Sequence, residues 1–248
     1  KQDRKMILII GQTHDDILYF ENIMHNKENE ELFNTIPLIT GTIYNQDVCL
    51  AYNVYSNYIS SLIITHLIRS KFVIFVVSVG KAKTYFDDLQ VGDVVLSNSI
   101  TLGDVDFTNE NNCKLGQIPF LPEKYLTQSY LSQIFTQSFN KVLYKEPFKA
   151  DFISLNKHIK DVHQLTELIA NNFVLGLEKE TVFDTESGGA AVACHLADVP
   201  YISIKVIESK IGEDTSLDNY LKVLEKYIEV GKGVSIAISE IGRKDFIK

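Results

Sequence analysis

The hydrophobic pattern opens on Met6 to Ile10, an unbroken apolar run stopped by Gly11, as in a strand buried on both faces. Asp15 to Met24 follows with helical spacing of Ile17, Phe20, Ile23 and Met24. The polar, acidic stretch Asn26 to Glu31 reads as a surface loop. Pro37 to Thr42 and Gln46 to Ala51 are short strand candidates. Tyr58 to Ile68 is a helix with Ile59, Leu62, Ile63 and Leu67 on one side. Phe72 to Val77, unbroken, β-branched and aromatic, is the strongest strand signal. Val91 to Ser97 is a turn running into a strand, and Asn109 to Leu121 is irregular. Tyr125 to Leu143 reads as a helix, Phe152 to Leu155 as extended, and His163 to Asn172 as a helix. Val182 to Glu186 closes a strand, Gly188 to Ala197 is a small-residue helix, and Tyr201 to Ile207 is a strand. Leu217 to Gly242 is a long helix, with a possible bend at Gly231 and Gly233.

Strands alternating with helices predict an α/β protein: three layers, with a mostly parallel, twisted central sheet flanked by helices. Repeats, low-complexity tracts and linker-like stretches are absent, so residues 1–248 are expected to form a single domain. An apolar fraction of 45% and a charged fraction of 23% fit a packed globular chain. The formal net charge of −8 disfavours nucleic acid and anionic membrane surfaces as partners. Cys49, Cys113 and Cys194 have neither zinc-site nor disulfide-framework spacing, and buried thiols are expected. The first apolar run is too short for a signal peptide and no stretch is long enough to span a bilayer. A cytoplasmic setting follows as an expectation.

Dinucleotide, P-loop, HExxH and GxSxG motifs are missing, and the six histidines show no metal-ligand spacing. His195, beside Cys194, reads as a core or rim histidine. The informative segment is Val182 to Ser209. Glu186 ends a buried strand and precedes a helix of glycine and alanine, at the carboxyl edge of the sheet where α/β folds bind ligands. A carboxylate there can accept hydrogen bonds from two adjacent hydroxyls, such as a ribose diol. Alternatively it caps the following helix.

Asp184-Thr185-Glu186, Ala190-Ala191, Cys194-His195 and Val199-Pro200-Tyr201 together resemble, without a gap, the signature of the methylthioadenosine/S-adenosylhomocysteine nucleosidases. Ile9-Ile10-Gly11 with Asp15-Asp16, the Val91 to Ser97 strand, Asp104 to Asp106, Gly116 to Pro119 and Leu217 to Leu221 resemble further stretches in order. The resemblance implies the nucleoside phosphorylase/nucleosidase fold and a homodimer without metal or organic cofactor. The apolar faces of 58–68 and 125–143 are candidates for its interface. It also implies roles. Glu186 holds the ribose hydroxyls and Thr185 lies under the sugar. His158 and Ile159 contact the purine, Leu217 lines the pocket for the 5′ substituent, and Asp16 orients the attacking water.

Departures from the family pattern bear on catalysis. The expected Ser-Asp, whose Asp protonates the purine, is here Glu208-Ser209. N-glycosidic cleavage builds negative charge on the leaving base, which a serine cannot neutralise comparably. Glu208 substitutes only if the strand bulges or bends, because neighbouring strand residues face opposite sides. The glycine-rich loops are replaced by Asn53 to Asn57 and Ser78 to Ala82. With no arginine in either, hydrolysis is favoured over phosphorolysis, and Lys81 is a candidate anion contact. Three readings follow. The first is hydrolysis of a 5′-substituted purine nucleoside, with Asp16 and Glu208 or Ser209 in the catalytic positions. The second is a nucleoside-binding relative without activity. The third is a nucleoside phosphorylase.

Overall fold

The computed structural model describes residues 5–110, 112–170 and 181–243. In chain order the elements are β1 (Met6–Ile10), α1 (His14–Ile23), β2 (His25–Leu32), β3 (Ile36–Ile43), β4 (Gln46–Ala51), α2 (Ser56–Ser70) and β5 (Val73–Thr84). They continue with β6 (Val94–Leu102), β7 (Tyr125–Leu126), α3 (Ser129–Leu143), β8 (Phe148–Ser154), α4 (Val162–Ala170), β9 (Thr181–Asp184), α5 (Ser187–Leu196), β10 (Tyr201–Lys210) and α6 (Leu217–Arg243).

Alternation along the strands divides the apolar residues between two cores. Ile7 and Ile9 of β1, Phe75, Val77 and Val79 of β5, and Ile202, Ile204 and Val206 of β10 pack with α1, α3 and α6. Leu8 and Ile10, Val76 and Ala82, and Ile207 belong to the second core, with α2 and α5. Helices therefore cover both faces of the sheet, and the expectation of an α/β architecture holds.

The sheet itself is mixed rather than mostly parallel. Parallel pairs join β1 to β4 and β5, β5 to β10, β6 to β8 and β8 to β9. Antiparallel pairs join β2 to β3, β3 to β4, β5 to β9, β6 to β7 and β6 to β10. Because β5 pairs both β9 and β10, the strands β5, β10, β6, β8 and β9 close into a ring. The antiparallel content comes partly from short connections. Tyr44 and Asn45, both at positive φ, make a two-residue turn between β3 and β4.

Two local expectations change. Asn26 to Glu31 is the body of strand β2 and not a loop. The segment from Tyr125 begins as the short strand β7, with α3 starting at Ser129. The predicted helix over 163–172 is present to Ala170, and its last two residues lie outside the described ones. All three cysteines are buried and free. Among the described residues no helix is long and apolar enough to cross a membrane.

Candidate functional site

Strand β9 is buried along its length and delivers Thr185 and Glu186 to the start of α5. Glu186 occupies the helix N-cap position, yet its side chain makes no capping hydrogen bond. The carboxylate is fully buried and turns to other partners. Oε2 accepts a hydrogen bond from Gln12 Nε2 at 2.7 Å, and Oε1 accepts one from Lys205 Nζ. The structure thereby separates the two sequence readings: Glu186 is not a helix cap.

Lys205 was not among the expected site residues. Its ammonium is fully buried, hydrogen-bonds Ser78 Oγ at 2.9 Å, and lies 3.9 Å from Asp184 Oδ2. Burial opposes its charge, but the carboxylates of Glu186 and Asp184 outweigh that and hold its pKa above the ordinary lysine value. A lysine in the middle of the apolar run Tyr201 to Ile207 was the available signal, since a charge inside a buried strand requires a partner. Gln12, directly after the Gly11 turn, carried no such signal.

Asp16 sits three residues into α1 and is buried. Its Oδ2 accepts the backbone N–H groups of Gln12 at 2.8 Å and Thr13 at 2.9 Å, closing a capping box. Its Oδ1 accepts the Tyr227 hydroxyl of α6 at 2.5 Å. Burial raises the Asp16 pKa, against these hydrogen bonds. Gly80, at φ +142, passes between this carboxylate and Lys205. A Cβ there would lie 3.3 Å from Asp16 Oδ2 and 3.5 Å from Lys205 Nζ.

A cavity of about 20 Å³, room for ordered water, opens at the carboxyl ends of β5, β9 and β10. Four expected site residues line it: Thr185, Glu208, His158 and Ile159. Gln12 lines it too, and Thr185 Oγ1 accepts from Gln12 Nε2 at 2.6 Å, so Glu186 stands directly behind both. The bulge that Glu208 required is present. Ile207 pairs with Ala82 and Ser209 with Lys83, leaving Glu208 as the extra residue. Its carboxylate is 3.5 Å from Lys81 Nζ.

The remaining expected residues lie elsewhere. Ser209 is fully buried, and its hydroxyl has no hydrogen-bond partner among the described residues. Leu217 begins α6 with its side chain 71% exposed and is not among the cavity's lining residues. His195 packs edge-on against Tyr125, 5.6 Å between ring centroids, consistent with a rim histidine.

No protein-family model matches the chain. Curated relatives do. The chain is 24% identical over 212 residues to the 5′-methylthioadenosine/S-adenosylhomocysteine nucleosidase of Shewanella denitrificans, covering 85% of this chain and 88% of the relative. Among solved structures, the nucleosidase of the same name from Neisseria meningitidis, in complex with methylthio-immucillin-A, superposes with a TM-score of 0.83. It is 18% identical and covers 95% of this chain and 99% of that one. Futalosine hydrolase of Helicobacter pylori superposes with a TM-score of 0.82, also at 18% identity, covering 95% and 98%. Over most of its length the chain is thus similar in sequence to methylthioadenosine/S-adenosylhomocysteine nucleosidases, and it shares their fold.

Proposed function

We propose that this protein hydrolyses the N-glycosidic bond of a 5′-substituted purine nucleoside of the methylthioadenosine/S-adenosylhomocysteine type. One observation carries the reading. A fully buried carboxylate, Glu186, is aligned by Gln12 and Lys205 directly behind a cavity at the carboxyl edge of the sheet. The relatives' names supply the substrate class. Two structures of equal similarity carry different names, methylthioadenosine/S-adenosylhomocysteine nucleosidase and futalosine hydrolase, so fold alone does not select the 5′ substituent.

In the reaction the bond from the anomeric carbon to the base breaks and its electron pair leaves with the base. Glu186 holds the ribose hydroxyls as positive charge grows on the sugar, with Thr185 beneath it, and His158 and Ile159 face the purine. Glu208, brought to the cavity by the bulge, donates the proton to the departing base. Water bonds to the anomeric carbon and passes its proton to Asp16, whose burial-raised pKa makes it a better acceptor than an exposed aspartate. Leu217 is left without a role in one protomer. The unit of function is a single domain spanning the chain, working as a homodimer in the cytoplasm.

A second reading, a nucleoside-binding protein without turnover, rests on two facts. Ser209 stands where the resemblance expects the acid, and both Glu186 oxygens are already engaged, so a ribose must displace or share Gln12 or Lys205. Incubation with methylthioadenosine, S-adenosylhomocysteine or adenosine, followed by chromatography, separates the two. Free base released without added phosphate is the expected result. Binding with no base released establishes the second reading, and release only with phosphate would mean phosphorolysis.

A further inference from the structure

Helix α6 carries a buried stripe: Val223, Tyr227, Val230, Val234 and Ile238 recur at helical spacing and all enter the first core. Of these five side chains only Tyr227 has a polar atom. A hydroxyl in such a stripe is costly unless it finds a hydrogen-bond partner. Its partner belongs to the site: Tyr227 donates to Asp16 Oδ1 at 2.5 Å.

An ionised carboxylate offers about four acceptor positions, two on each oxygen. At Asp16 Oδ2 both are filled by the backbone N–H groups of Gln12 and Thr13, which secure the first turn of α1. At Oδ1 one is filled by Tyr227. Among the described residues nothing else donates to this carboxylate, so a single position on Oδ1 is left for a water.

The charge of Asp16 is contested. Burial drives the carboxyl toward its neutral acid, a form that accepts no proton, and the Glu186 carboxylate pushes the same way. The Tyr227 hydroxyl, the Thr13 N–H and the Lys205 ammonium oppose them. Tyr220, also on α6, spends its hydroxyl on the neighbouring Asp15 at 2.9 Å. From β5 only Gly80, without a side chain, comes close. Burial and the Asp16 charge hold the Tyr227 pKa far above the ordinary tyrosine value, so its hydroxyl stays a donor throughout the working range of pH.

Resting on the reading of Asp16 as acceptor of the water's proton, we infer that Tyr227 is a positioning residue: its hydroxyl holds Asp16 as a carboxylate and confines the water to the remaining position on Oδ1. Burial alone makes Asp16 a stronger base but a scarcer one, and Tyr227 keeps the ionised form available.

Carbon-13 NMR of the aspartate carboxyl groups against pH, on the whole protein, reads this ionisation directly. The Asp16 signal is assigned by its loss in Asp16→Asn. Tyr227→Phe removes one oxygen and keeps the ring in the core. In it the Asp16 midpoint should rise by about one to two pH units, the size expected for one hydrogen bond to a charged group. With methylthioadenosine as substrate, kcat of Tyr227→Phe should fall by about tenfold or more below the parent midpoint. That deficit should close as pH rises past the variant's midpoint, with KM unchanged within about twofold. Added to Asp16→Asn, Tyr227→Phe should lower kcat no further. A midpoint that does not move overturns the inference. So does a deficit equal at every pH, or one that persists beside Asp16→Asn, since either marks a purely structural contact. A raised midpoint with unchanged kcat removes Asp16 as the acceptor and the inference with it. A raised midpoint when even the parent protein releases no base supports the hold of Tyr227 on Asp16 and removes the hydrolase reading instead.

Discussion

In the Lys205–Glu186 pair both charges are fully buried, which is costly in desolvation. A buried ion pair is weak support for stability, since desolvation offsets the attraction, but losing one partner leaves an uncompensated charge. Lys205→Met should therefore destabilise the protein by about 3–5 kcal/mol, whereas Lys205→Met/Glu186→Leu, which leaves only the buried Asp184 carboxylate facing the lost cation, should recover part of that loss. Urea unfolding of the three proteins checks both statements, and a single variant as stable as the double would refute them. The pair also predicts a pH effect. Lys205 has a folded pKa above its unfolded value of about 10.4. Its contribution is fully present below that pH and is lost as pH rises toward the folded value. Unfolding stability of the parent protein should fall more steeply above about pH 10.4 than that of the double variant, by up to about 1.4 kcal/mol per pH unit. Parallel alkaline limbs would show that Lys205 is not held charged. Glu186 was legible in the sequence because a strand end and a small-residue helix frame it. Its partner Gln12 is 174 residues away in the chain, a contact no local pattern encodes.

At the scale of elements, Glu186 is held in place by the junction of α2 with α5. Asn57 Oδ1 accepts both the Gly189 backbone N–H at 2.8 Å and the Ser154 hydroxyl at 2.9 Å. Ser60 Oγ donates to the Glu186 carbonyl at 2.7 Å. A Cβ on Gly189 would fall 1.9 Å from the Asn57 carbonyl oxygen, so the helices approach only because that side chain is absent. Gly189→Ala should destabilise by about 1–3 kcal/mol and weaken nucleoside binding together, as α5 is pushed off α2 and Glu186 moves with it. Thermal unfolding and titration on one preparation provide the check; unchanged stability would mean the junction tolerates separation. The small-residue helix was readable from Gly188 to Ala197, although nothing in the sequence indicated which helix it meets. Strand β2 was hidden for a different reason. Seven of its eight residues are exposed, so it has no apolar alternation, and hydrogen bonding to β3 alone defines it. Its charged side chains suit a sheet edge that must not pair with another chain. The mixed sheet was missed because a strand's apolar pattern does not record its direction.

On the scale of the whole molecule, the structure sorts the two helical faces that the sequence offered equally as interface. The α3 face is core: Leu131, Ile134, Phe135 and Phe139 are buried against α6 and the sheet. Helix α2 divides. Ile63, Ile64 and Leu67 enter the second core, while Tyr58, Ile59 and Leu62 face outward at 73%, 37% and 53% exposure. With Tyr55 at 47%, they recur at the spacing of a single helical stripe. Contiguous apolar side chains at this density on a chain of net charge −8 suit burial against a second copy better than contact with water. A homodimer through this face is the assembly we propose, in line with the family resemblance. Two copies related by a two-fold axis would place the same stripe on itself and conceal tyrosine rings, which are enriched at such interfaces. Sedimentation of the parent protein at micromolar concentration should give about twice the chain mass. Tyr58→Glu/Leu62→Glu, which puts like charges opposite each other across the axis, should sediment as a monomer that still unfolds cooperatively. A parent protein that sediments as a monomer throughout would remove the assembly and leave the stripe as exposed apolar surface.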